Sequence, residues 1–582
     1  MTGLALQLIN GSALVPASGK AFKTLRDYLE RGFLDLIDVY FAERMLKETS
    51  IQSENAALFF AVLMAISRGG HLCLTIENDG ITPDLRSFIS DPEEYKKTRE
   101  ALLQAVYNEE FKLEAETIYR SGNSFYLQRN WVFETRFLYH LNRLNKSSPD
   151  RTIECPDVDC QLNEVQKEAI SLGAKQCVSM ITGGPGTGKT YTASRLVEWV
   201  LQSLSPLQRE SYNILLTAPT GKAAAHLEST LYRFIGKREN IKCGTLHALL
   251  GIRSPRDFFS EGSTLLADLI IVDECSMIDV RLFSYLLASL KEGSRLVLMG
   301  DPDQLPSVES GSVFADLVQA SQNGFVLPYT HLQKCMRSDQ REILELASLI
   351  NTGKAKEAAR KIFDHFHVDL GLKQQDLSLI HKNIWEHVKD RFPHPSNDPP
   401  DSEVLLKEME EFRILSCIRQ GPSGVDFLNK MMFQNYSLET KRGQWLSIPI
   451  IITRNDYTMD LYNGDVGMLL KQRAFDGCGK EDYAIFWNKD GGIRTVPAMA
   501  LPPHEYAYCL SVHKSQGSEY QKILLLIPPG SEVFGKEVLY TAVTRSRLKL
   551  EIDGREETII DTVGNSCRKY SGIQRRAYED LC

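Results

Sequence analysis

The chain has 582 residues, of which 43% are hydrophobic and 24% are charged. These are the proportions of an ordinary globular protein. The length exceeds what one hydrophobic core organises, so we expect three or four domains. The formal net charge is −8, from 67 basic and 75 acidic residues. This balance excludes a wholly basic protein that coats nucleic acid, but it allows a local basic groove.

The cysteines and the apolar segments indicate the cellular compartment in which we expect the protein to work. Of the twelve cysteines, the closest pair is Cys155 and Cys160, and no second pair completes a zinc site with them. We therefore interpret the cysteines as reduced thiols of a cytoplasmic protein. No run of about 18 apolar residues is present, so we expect no membrane partner.

Residues 1–150 are predicted to form a helical amino-terminal domain. Apolar residues at three- and four-residue spacing predict the helices Phe22–Leu46, Asn55–Ser67 and Val132–Leu144. A short strand is predicted after His71, which we interpret as a structural histidine because nothing near it in the sequence completes a ligand set. No catalytic motif is visible in this region, and we expect it to bind partner proteins.

From Leu162 onward, apolar strands alternate with helices, which predicts a parallel sheet. Between the first of these strands and its helix lies a loop that fits G-x-x-x-x-G-K-[ST] without a mismatch. Backbone N–H groups in such a loop turn inward around phosphate oxygens, Lys189 bridges the terminal phosphates and Thr190 can ligate Mg²⁺. A nucleoside triphosphate is therefore expected to bind Gly183, Gly184, Pro185, Gly186, Thr187, Gly188, Lys189 and Thr190.

Gln166 lies in the helix just before this loop, and two interpretations of it are open. Its amide can contact the edge of an adenine, or it can close a capping box with Asn163 at the start of the helix.

Two further strands end in polar residues. Asp273 and Glu274 follow a fully apolar strand, which places Asp273 beside a Mg²⁺ held by Thr190 and Glu274 where it can polarise a water. Another buried strand ends at Asp301 and Gln304. We expect the Gln304 amide to sense the γ-phosphate; the alternative is a plain turn capped by Asp301.

In this order, the motifs resemble those of superfamily 1 helicases and, within them, the RecD family, the alpha subunit of exodeoxyribonuclease V in the RecBCD complex. The motor elements that carry the resemblance are GGPGTGKT (183–190), LTAPTGKAAAHL (216–227), TLHALLG (245–251), IIVDECSMID (270–279), LMGDPDQLPSVESGSVFADL (298–317), TRNDYTMDLYNGDVG (453–467), SVHKSQGSEY (511–520) and LYTAVTRSR (539–547). Ser67 to Leu74 also resembles the family's accessory domain.

The resemblance implies an α/β fold with two RecA-like P-loop motor domains, at residues 151–330 and 331–582. It also implies a small SH3-like β-barrel inserted at about 455–505 in the second motor domain. The strands expected to build the second motor sheet are Phe412–Gln420, Ile448–Thr453 and Lys522–Ile527.

Several residue roles follow from the same resemblance. Arg337 and Arg545 are expected to reach across a cleft to the γ-phosphate, where a guanidinium neutralises developing charge; the alternative for each is a surface salt bridge. Glu519 matches a residue that contacts the nucleotide sugar, although it can equally pair with a lysine. Contacts with DNA are expected from loops after the strands, at Pro219, Thr220, Thr245, His247, Ser511 and His513. For the two histidines, a buried structural imidazole is the alternative.

The activity implied is that of an ATP- and Mg²⁺-dependent helicase that moves 5′ to 3′ along single-stranded DNA. Its expected partners are duplex-end DNA and RecB-like and RecC-like subunits of a complex that repairs double-strand breaks by homologous recombination. Three alternatives stay open: a silent interaction subunit, a chain that itself cuts DNA, and a motor on RNA. No separate two-metal acidic cluster is visible, so nuclease activity is expected from a partner.

Overall fold

The computed structural model describes residues 21–51, 53–77, 80–89, 91–108, 117–153, 162–254, 256–259, 264–324, 327–333, 341–372, 377–456, 458–473, 482–488 and 491–581. The contacts divide the chain into two units. The first unit holds Met1–Arg136, Val308–Gly311 and Lys569–Ile573, and the second unit holds the remaining residues. Within the described part of the chain, no helix combines the length and the apolar character needed to cross a membrane.

The first unit contains both helices and a sheet. Its described helices are α1 (Ala21–Glu30), α2 (Leu36–Thr49), α3 (Glu54–Arg68), α4 (Pro92–Tyr107) and α5 (Gln128–Lys146), the last of which continues into the second unit. Its strands are β1 (Cys73–Glu77), β2 (Gly80–Thr82), β3 (Ile118–Ser121) and β4 (Ser124–Leu127), which form an antiparallel sheet in the order β2–β1–β4–β3. The prediction of a helical domain is thus corrected to a mixed one. Strands of three to five residues are too short for their periodicity to be recognised in the sequence.

The predicted helix Phe22–Leu46 is also corrected, because the chain breaks it into α1 and α2. Asp35 caps α2 in a capping box with Asp38, and its extended backbone (φ −100°, ψ 163°) cannot continue a helix from α1. The prediction for Asn55–Ser67 is confirmed by α3, whose side chains are almost all buried in the core of this unit.

His71 is a structural residue, as predicted. Its Nδ1 accepts a hydrogen bond from the N–H of Tyr570 at 2.9 Å, within the first unit. Burial, together with the nearby charge of Lys569, lowers the pKa of the imidazole to about 4. The ring therefore stays neutral and keeps Nδ1 available as an acceptor.

The second unit begins with the parallel sheet that the sequence predicts. Its helices are α6 (Glu164–Lys175), α7 (Lys189–Gln202), α8 (Pro206–Ser211), α9 (Gly221–Ile235), α10 (Leu246–Leu249), α11 (Val280–Ser289) and α12 (Val313–Gln322). Its strands are β5 (Val178–Gly183), β6 (Ile214–Ala218), β7 (Ile241–Thr245), β8 (Leu269–Val272), β9 (Arg295–Gly300) and β10 (Tyr329–Leu332), in the order β10–β5–β9–β8–β6–β7. All five pairings are parallel, and the strands that end in the phosphate loop, the acidic pair and Asp301 lie side by side.

The remainder of the second unit contains two more sheets. Its helices are α13 (Arg341–Asn351), α14 (Ala355–His365), α15 (Leu377–Val388), α16 (Ser402–Glu411), α17 (Val425–Glu439), α18 (Gly535–Val543), α19 (Glu556–Gly564) and α20 (Ile573–Leu581). Its strands are β11 (Phe412–Ser416), β12 (Trp445–Ile452), β13 (Val466–Gln472), β14 (Tyr483–Trp487), β15 (Ile493–Pro497), β16 (His504–Tyr506), β17 (Cys509–Ser511), β18 (Tyr520–Ile527) and β19 (Ser546–Gly554).

One of these sheets is parallel, in the order β17–β11–β18–β19, and the other is antiparallel, in the order β15–β14–β13–β12–β16. The prediction that Ile448–Thr453 belongs to the parallel sheet is wrong, because β12 pairs with β13 and β16 in the antiparallel sheet. Both faces of β12 are buried, so its continuous apolar run resembles that of a parallel strand.

Arg295 at the start of β9 is a buried cation that ties the first parallel sheet to its surroundings. Only 1% of it is exposed. Its guanidinium donates to the carbonyl oxygens of Ala174, at 2.7 Å, and of Arg151, and to the hydroxyl of Tyr212 at 3.3 Å. Removing these donors leaves buried acceptors unsatisfied, which is costly.

We therefore expect Arg295→Met to lower the midpoint of thermal unfolding by about 4–10 °C, because several charged hydrogen bonds are lost at once. Scanning fluorimetry measures the shift. Arg360→Met is the control, since that side chain is 86% exposed and should change the midpoint by less than about 1 °C. Equal midpoints for the two variants would contradict the structural role of Arg295.

Candidate functional site

The phosphate loop lies between β5 and α7. Gly188 is the N-cap of α7 and has φ of +87°, a conformation that other residues rarely adopt. A Cβ on Gly183 would lie 2.7 Å from Thr187 Oγ1 and from the Leu332 carbonyl oxygen, so a side chain there has no room. The loop is therefore fixed in a narrow turn that directs the free N–H groups of the first turn of α7 toward its centre.

Lys189 occupies the mouth of this turn. Its Nζ donates to the carbonyl oxygens of Gly183 at 2.6 Å and Gly184 at 3.1 Å. Thr187 Oγ1 donates to the Gly184 carbonyl at 2.8 Å and tightens the loop. A positive charge and the positive end of a helix thus coincide, which makes this the anion-binding site that the sequence predicts.

Thr190 and Asp273 meet at the side of the loop. Thr190 Oγ1 lies 3.5 Å from Asp273 Oδ2, and Oδ1 of Asp273 accepts the N–H of Glu274 at 2.8 Å. Burial raises the pKa of Asp273, while the charge of Lys189 opposes this rise. One hydroxyl and one carboxylate oxygen are therefore positioned as a pair of hard oxygen ligands.

Glu274 stands next to this pair in an uncommon backbone conformation. Its φ of 53° and ψ of 43° lie in the left-handed region, where a residue with a long side chain is rare. Burial raises the pKa of its carboxyl, the neighbouring Asp273 raises it further, and Arg545 opposes the rise. The side chain lines the same cavity as Lys189.

The loop after β9 contains a hydrogen-bonded group around Asp301. Its Oδ2 accepts from Gln304 Nε2 at 3.3 Å and from the Tyr540 hydroxyl at 2.8 Å, and its Oδ1 accepts the N–H of Asp303 at 3.1 Å. The capped turn considered as the alternative is therefore present, together with the glutamine. Oε1 of Gln304 is buried and has no hydrogen-bond partner among the described residues.

Helix α18 supplies residues that the sequence analysis did not identify. Tyr540 binds Asp301, Thr541 Oγ1 accepts the N–H of Leu305 at 2.9 Å, and Gln516 Nε2 donates to the Leu305 carbonyl at 3.1 Å. Tyr540 and Thr541 lie within the motif LYTAVTRSR, which was the available signal. The loop after β9 is thus bound directly to the second half of the chain.

Arg545 follows α18 and is 97% buried, with 3% of its surface exposed. Its Nε donates to the Thr541 carbonyl at 3.2 Å and its Nη1 to the Ser518 carbonyl at 3.4 Å. Nη2 is buried and unpartnered within the described structure. A surface salt bridge, the alternative for this residue, is therefore wrong. Arg337 lies outside the described residues, so its expected role stays a prediction.

These groups surround a cavity of about 570 Å³, which we call the phosphate-loop cavity. One wall is the loop with Lys189, and the other carries Arg545. The chemistry fits a nucleoside triphosphate with a divalent cation: Thr190 and Asp273 offer oxygen ligands, and the buried atoms Gln304 Oε1 and Arg545 Nη2 have no partner among the described residues.

The two remaining nucleotide-contact predictions have mixed outcomes. Gln166 forms the capping box: its Oε1 accepts the N–H of Asn163 at 3.2 Å, and Asn163 Oδ1 accepts its N–H at 2.9 Å. Its contact with adenine stays a prediction. Glu519 lines the phosphate-loop cavity, and its carboxylate pairs with Arg547 at 2.7 Å, an arginine where the alternative named a lysine.

The residues expected to contact DNA lie at the ends of β6, β7 and β17 or in the short segments that follow these strands. Thr220 and Thr245 cap the helices after them, each accepting an N–H three residues on at 3.3 Å. His247 is exposed, which excludes a buried structural imidazole, whereas the ring of His513 packs 5.9 Å from that of Phe534. Pro219 precedes Thr220 directly, and Ser511 ends β17.

Gly517 brings these loops together. A Cβ on Gly517 would lie 3.6 Å from Thr220 Oγ1, so the segment after His513 touches the loop after β6. The two groups of predicted DNA contacts are therefore neighbours in the second unit.

Comparison with known proteins identifies the family. Residues 161–372 match the model of an AAA domain, and residues 506–552 match a UvrD-like helicase C-terminal domain. The chain is 30% identical to the RecBCD enzyme subunit RecD of Mycolicibacterium smegmatis, over 93% of this chain and 97% of that protein. It is 28% identical to the RecD subunit of Mycobacterium tuberculosis, over 99% and 100%.

Among solved structures, a Pif1 helicase from Bacteroides in complex with ADP-AlF3 and single-stranded DNA aligns with 72% of this chain and 97% of its own. The TM-score is 0.41 and the identity 17%. The similarity to the Mycolicibacterium subunit, by contrast, extends through both units. This chain therefore belongs to the RecD family of RecBCD enzyme subunits.

Proposed function

We propose that this chain is the ATP-driven helicase motor of a RecBCD-type helicase–nuclease, acting in double-strand break repair by homologous recombination. The observation that carries the proposal is the phosphate-loop cavity, in which Lys189 and Arg545 face the same space from two different parts of the chain. A cavity built in this way closes and opens with the nucleotide state, which is what a translocating motor requires. The match to RecD subunits over nearly the whole chain supports the same reading.

The residues of the cavity divide the work of hydrolysis. Mg²⁺-ATP supplies the phosphoanhydride bond whose cleavage drives the motor. Lys189 and the loop bind the phosphates, and Thr190 and Asp273 are the residues that would hold the metal ion. Glu274 orients and deprotonates the attacking water, and Arg545 directs Nη2 toward the charge that develops on the transferred phosphoryl group.

Gln304 connects this chemistry to movement. Its amide reports the γ-phosphate, and the loop that carries it is hydrogen-bonded to Tyr540 and Thr541 of α18. Closing of the cavity therefore moves the second parallel sheet relative to the first. Arg337 is proposed to add a second guanidinium, and Gln166 and Glu519 to contact the base and the sugar.

Single-stranded DNA is proposed to lie across the loops after β6, β7 and β17, with 5′-to-3′ polarity. The residues that contact it are Pro219, Thr220, Thr245, His247, Ser511 and His513, which bind the backbone and do not read sequence. Two RecA-like domains, 151–330 and 331–582, form the motor, and the antiparallel sheet is an SH3-like insertion. Residues 1–150 are proposed to dock onto RecB-like and RecC-like partners.

Three alternatives differ from this proposal in what they require. A silent subunit would show no turnover of its own. A chain that cuts DNA would need a separate acidic metal site; among the described residues, no group of three or more histidine, cysteine, aspartate or glutamate side chains is arranged to hold a metal ion. A motor on RNA would prefer strands that carry the 2′-OH.

Lys189→Ala should reduce DNA-stimulated ATP hydrolysis at least about a hundredfold, because the charge that neutralises the terminal phosphates is removed. Steady-state phosphate release measures the effect, and circular dichroism verifies the fold. Lys354→Ala is the control, since that side chain is 54% exposed and pairs with Glu357 at the surface. Unchanged turnover in Lys189→Ala would refute the motor assignment.

Glu274→Gln should lower kcat about 10²–10⁴-fold while ATP still binds, because the amide keeps the size of the side chain but cannot accept the proton of the attacking water. Binding of a fluorescent ATP analogue and single-turnover hydrolysis separate the two steps. Glu439→Gln is an exposed control of the same chemistry. Wild-type turnover in Glu274→Gln would assign activation of the water to another group.

Strand displacement on duplexes with either a 5′ or a 3′ single-stranded tail tests polarity. We expect unwinding only from the 5′ tail, in the presence of ATP and Mg²⁺, and none with Lys189→Ala. Unwinding from the 3′ tail would keep the motor and reject the polarity. No unwinding from either tail, by the wild-type chain, would favour a subunit that works only with its partners.

A further inference from the structure

A second cavity of about 390 Å³ lies beside the phosphate-loop cavity, within the second unit. We call it the insertion cavity, because the antiparallel sheet and its turns form one wall through Tyr462, Trp487 and Arg494. The opposite wall is a face of α9 that begins at Gly221. None of the roles assigned above uses this space.

The walls of the insertion cavity are held in place by specific contacts. Arg494 Nη1 donates to the carbonyl oxygens of Met459 at 2.6 Å and Asp460 at 2.8 Å, and Nη2 donates to Asp460 Oδ2 at 3.1 Å. These bonds stabilise Asp460 in a left-handed conformation with φ of 50°. The ring of Tyr462 lies against Gly221, where an added Cβ would be 3.2 Å from the tyrosine Cβ. The cavity is therefore preorganised.

Arg413 contributes a buried donor to the cavity. Only 1% of this residue is exposed, and its two Nη atoms donate to the carbonyl oxygens of Met409, at 2.7 Å, and Ala507. The guanidinium also lies 5.2 Å over the ring of Tyr520, and the two side chains share a hydrogen bond. Arg413 and Tyr520 therefore form a fixed floor of the cavity, as in a site that receives a ligand.

The rest of the lining indicates what that ligand is. Trp487 and Tyr462 are half-buried and offer flat apolar surface, while Lys222 is exposed at the rim. Aromatic surface stacks a nucleobase, and an exposed ammonium pairs with a phosphate. The volume also falls within the range of about 300–1,000 Å³ typical of small-molecule sites.

The cavity opens next to a loop that is proposed to contact DNA, which indicates that the base belongs to single-stranded DNA. Gly221 and Lys222 directly follow Pro219 and Thr220, the loop proposed to contact the DNA backbone. A strand that crosses this loop therefore passes the opening of the cavity.

We propose that the insertion cavity receives one base of the bound single strand, stacked on Trp487. This inference rests on the proposed function and adds a base subsite to it. Lys222, His226 and Glu410 line both cavities, so α9 has one face toward the base and an adjacent face toward the phosphate loop. Occupancy of the base subsite is thereby coupled to the nucleotide site through a single helix.

The test uses a series of fluorescein-labelled oligodeoxythymidines of about 16 nucleotides, each with one abasic site at a different position. Binding of each oligonucleotide to the full chain is measured by fluorescence anisotropy. One abasic position should weaken binding about fivefold to a hundredfold, the loss expected for one stacked base, and the others should change it much less. A uniform response along the strand would overturn the proposal.

Substitutions in the antiparallel sheet test whether the position-dependent loss of binding arises in the insertion cavity. Trp487→Ala should abolish the position dependence, whereas Trp487→Phe should keep it. Tyr483→Ala is the matched control, because Tyr483 is on the same strand and packs in the same apolar cluster but does not line the cavity. If Trp487→Ala stays sensitive to the abasic position, or if Tyr483→Ala loses the sensitivity equally, the proposal is wrong.

Two further readouts separate this inference from the function on which it rests. If Trp487→Ala raises KM for ATP and leaves DNA binding unchanged, the cavity serves the nucleotide and the base subsite is rejected. If the wild-type chain fails to bind the intact oligonucleotide, the proposed function itself fails. Normal binding of the intact strand with no abasic effect rejects only the base subsite.

Discussion

The carboxylate of Asp301 connects the parts of the second unit on which all the proposed chemistry depends. It accepts hydrogen bonds from Gln304, on the loop after the first parallel sheet, and from Tyr540, on the helix before Arg545. Burial raises the pKa of the Tyr540 phenol well above its usual value, so the hydroxyl remains a donor. A buried carboxylate with two donors is strongly directional, and it sets the distance at which the two walls of the phosphate-loop cavity face each other.

The acidic pair beside this bond places two negative charges in one wall of the cavity. Asp273 is buried and Glu274, next to it in the chain, is half-buried, and desolvation raises the pKa of each carboxyl. Two neighbouring, partly desolvated carboxylates repel each other unless cations are present. Lys189 and Arg545 supply positive charge from opposite walls, and a divalent ion between Thr190 and Asp273 would complete the balance. The local charge thus favours the bound state over an empty pocket.

Most of the candidate site follows from the sequence, because its chemistry is local. The phosphate loop, the acidic pair and Gln304 each follow a buried strand, and a parallel sheet brings such strand ends to one edge. Contacts between distant segments were not predictable in this way. The partner of Asp301 lies 239 residues away, and the choice of β12 between two sheets depends on pairing partners that its apolar run does not specify. The role of Gln166 could not be chosen from the sequence for a different reason, which is local. Capping of the helix and recognition of a base use the same side chain.

The antiparallel sheet has a consequence for how this chain varies. The last strand of this sheet along the chain, β16, pairs with the first, β12, and three hairpins join β12, β13, β14 and β15 in order. The hydrogen-bond ladder of the second parallel sheet does not pass through any of these hairpins. Their tips can therefore lengthen or shorten over evolutionary time without a shift in the register that positions Arg545. The surface of the antiparallel sheet can therefore change while the strands that carry the phosphate-loop cavity keep their pairing.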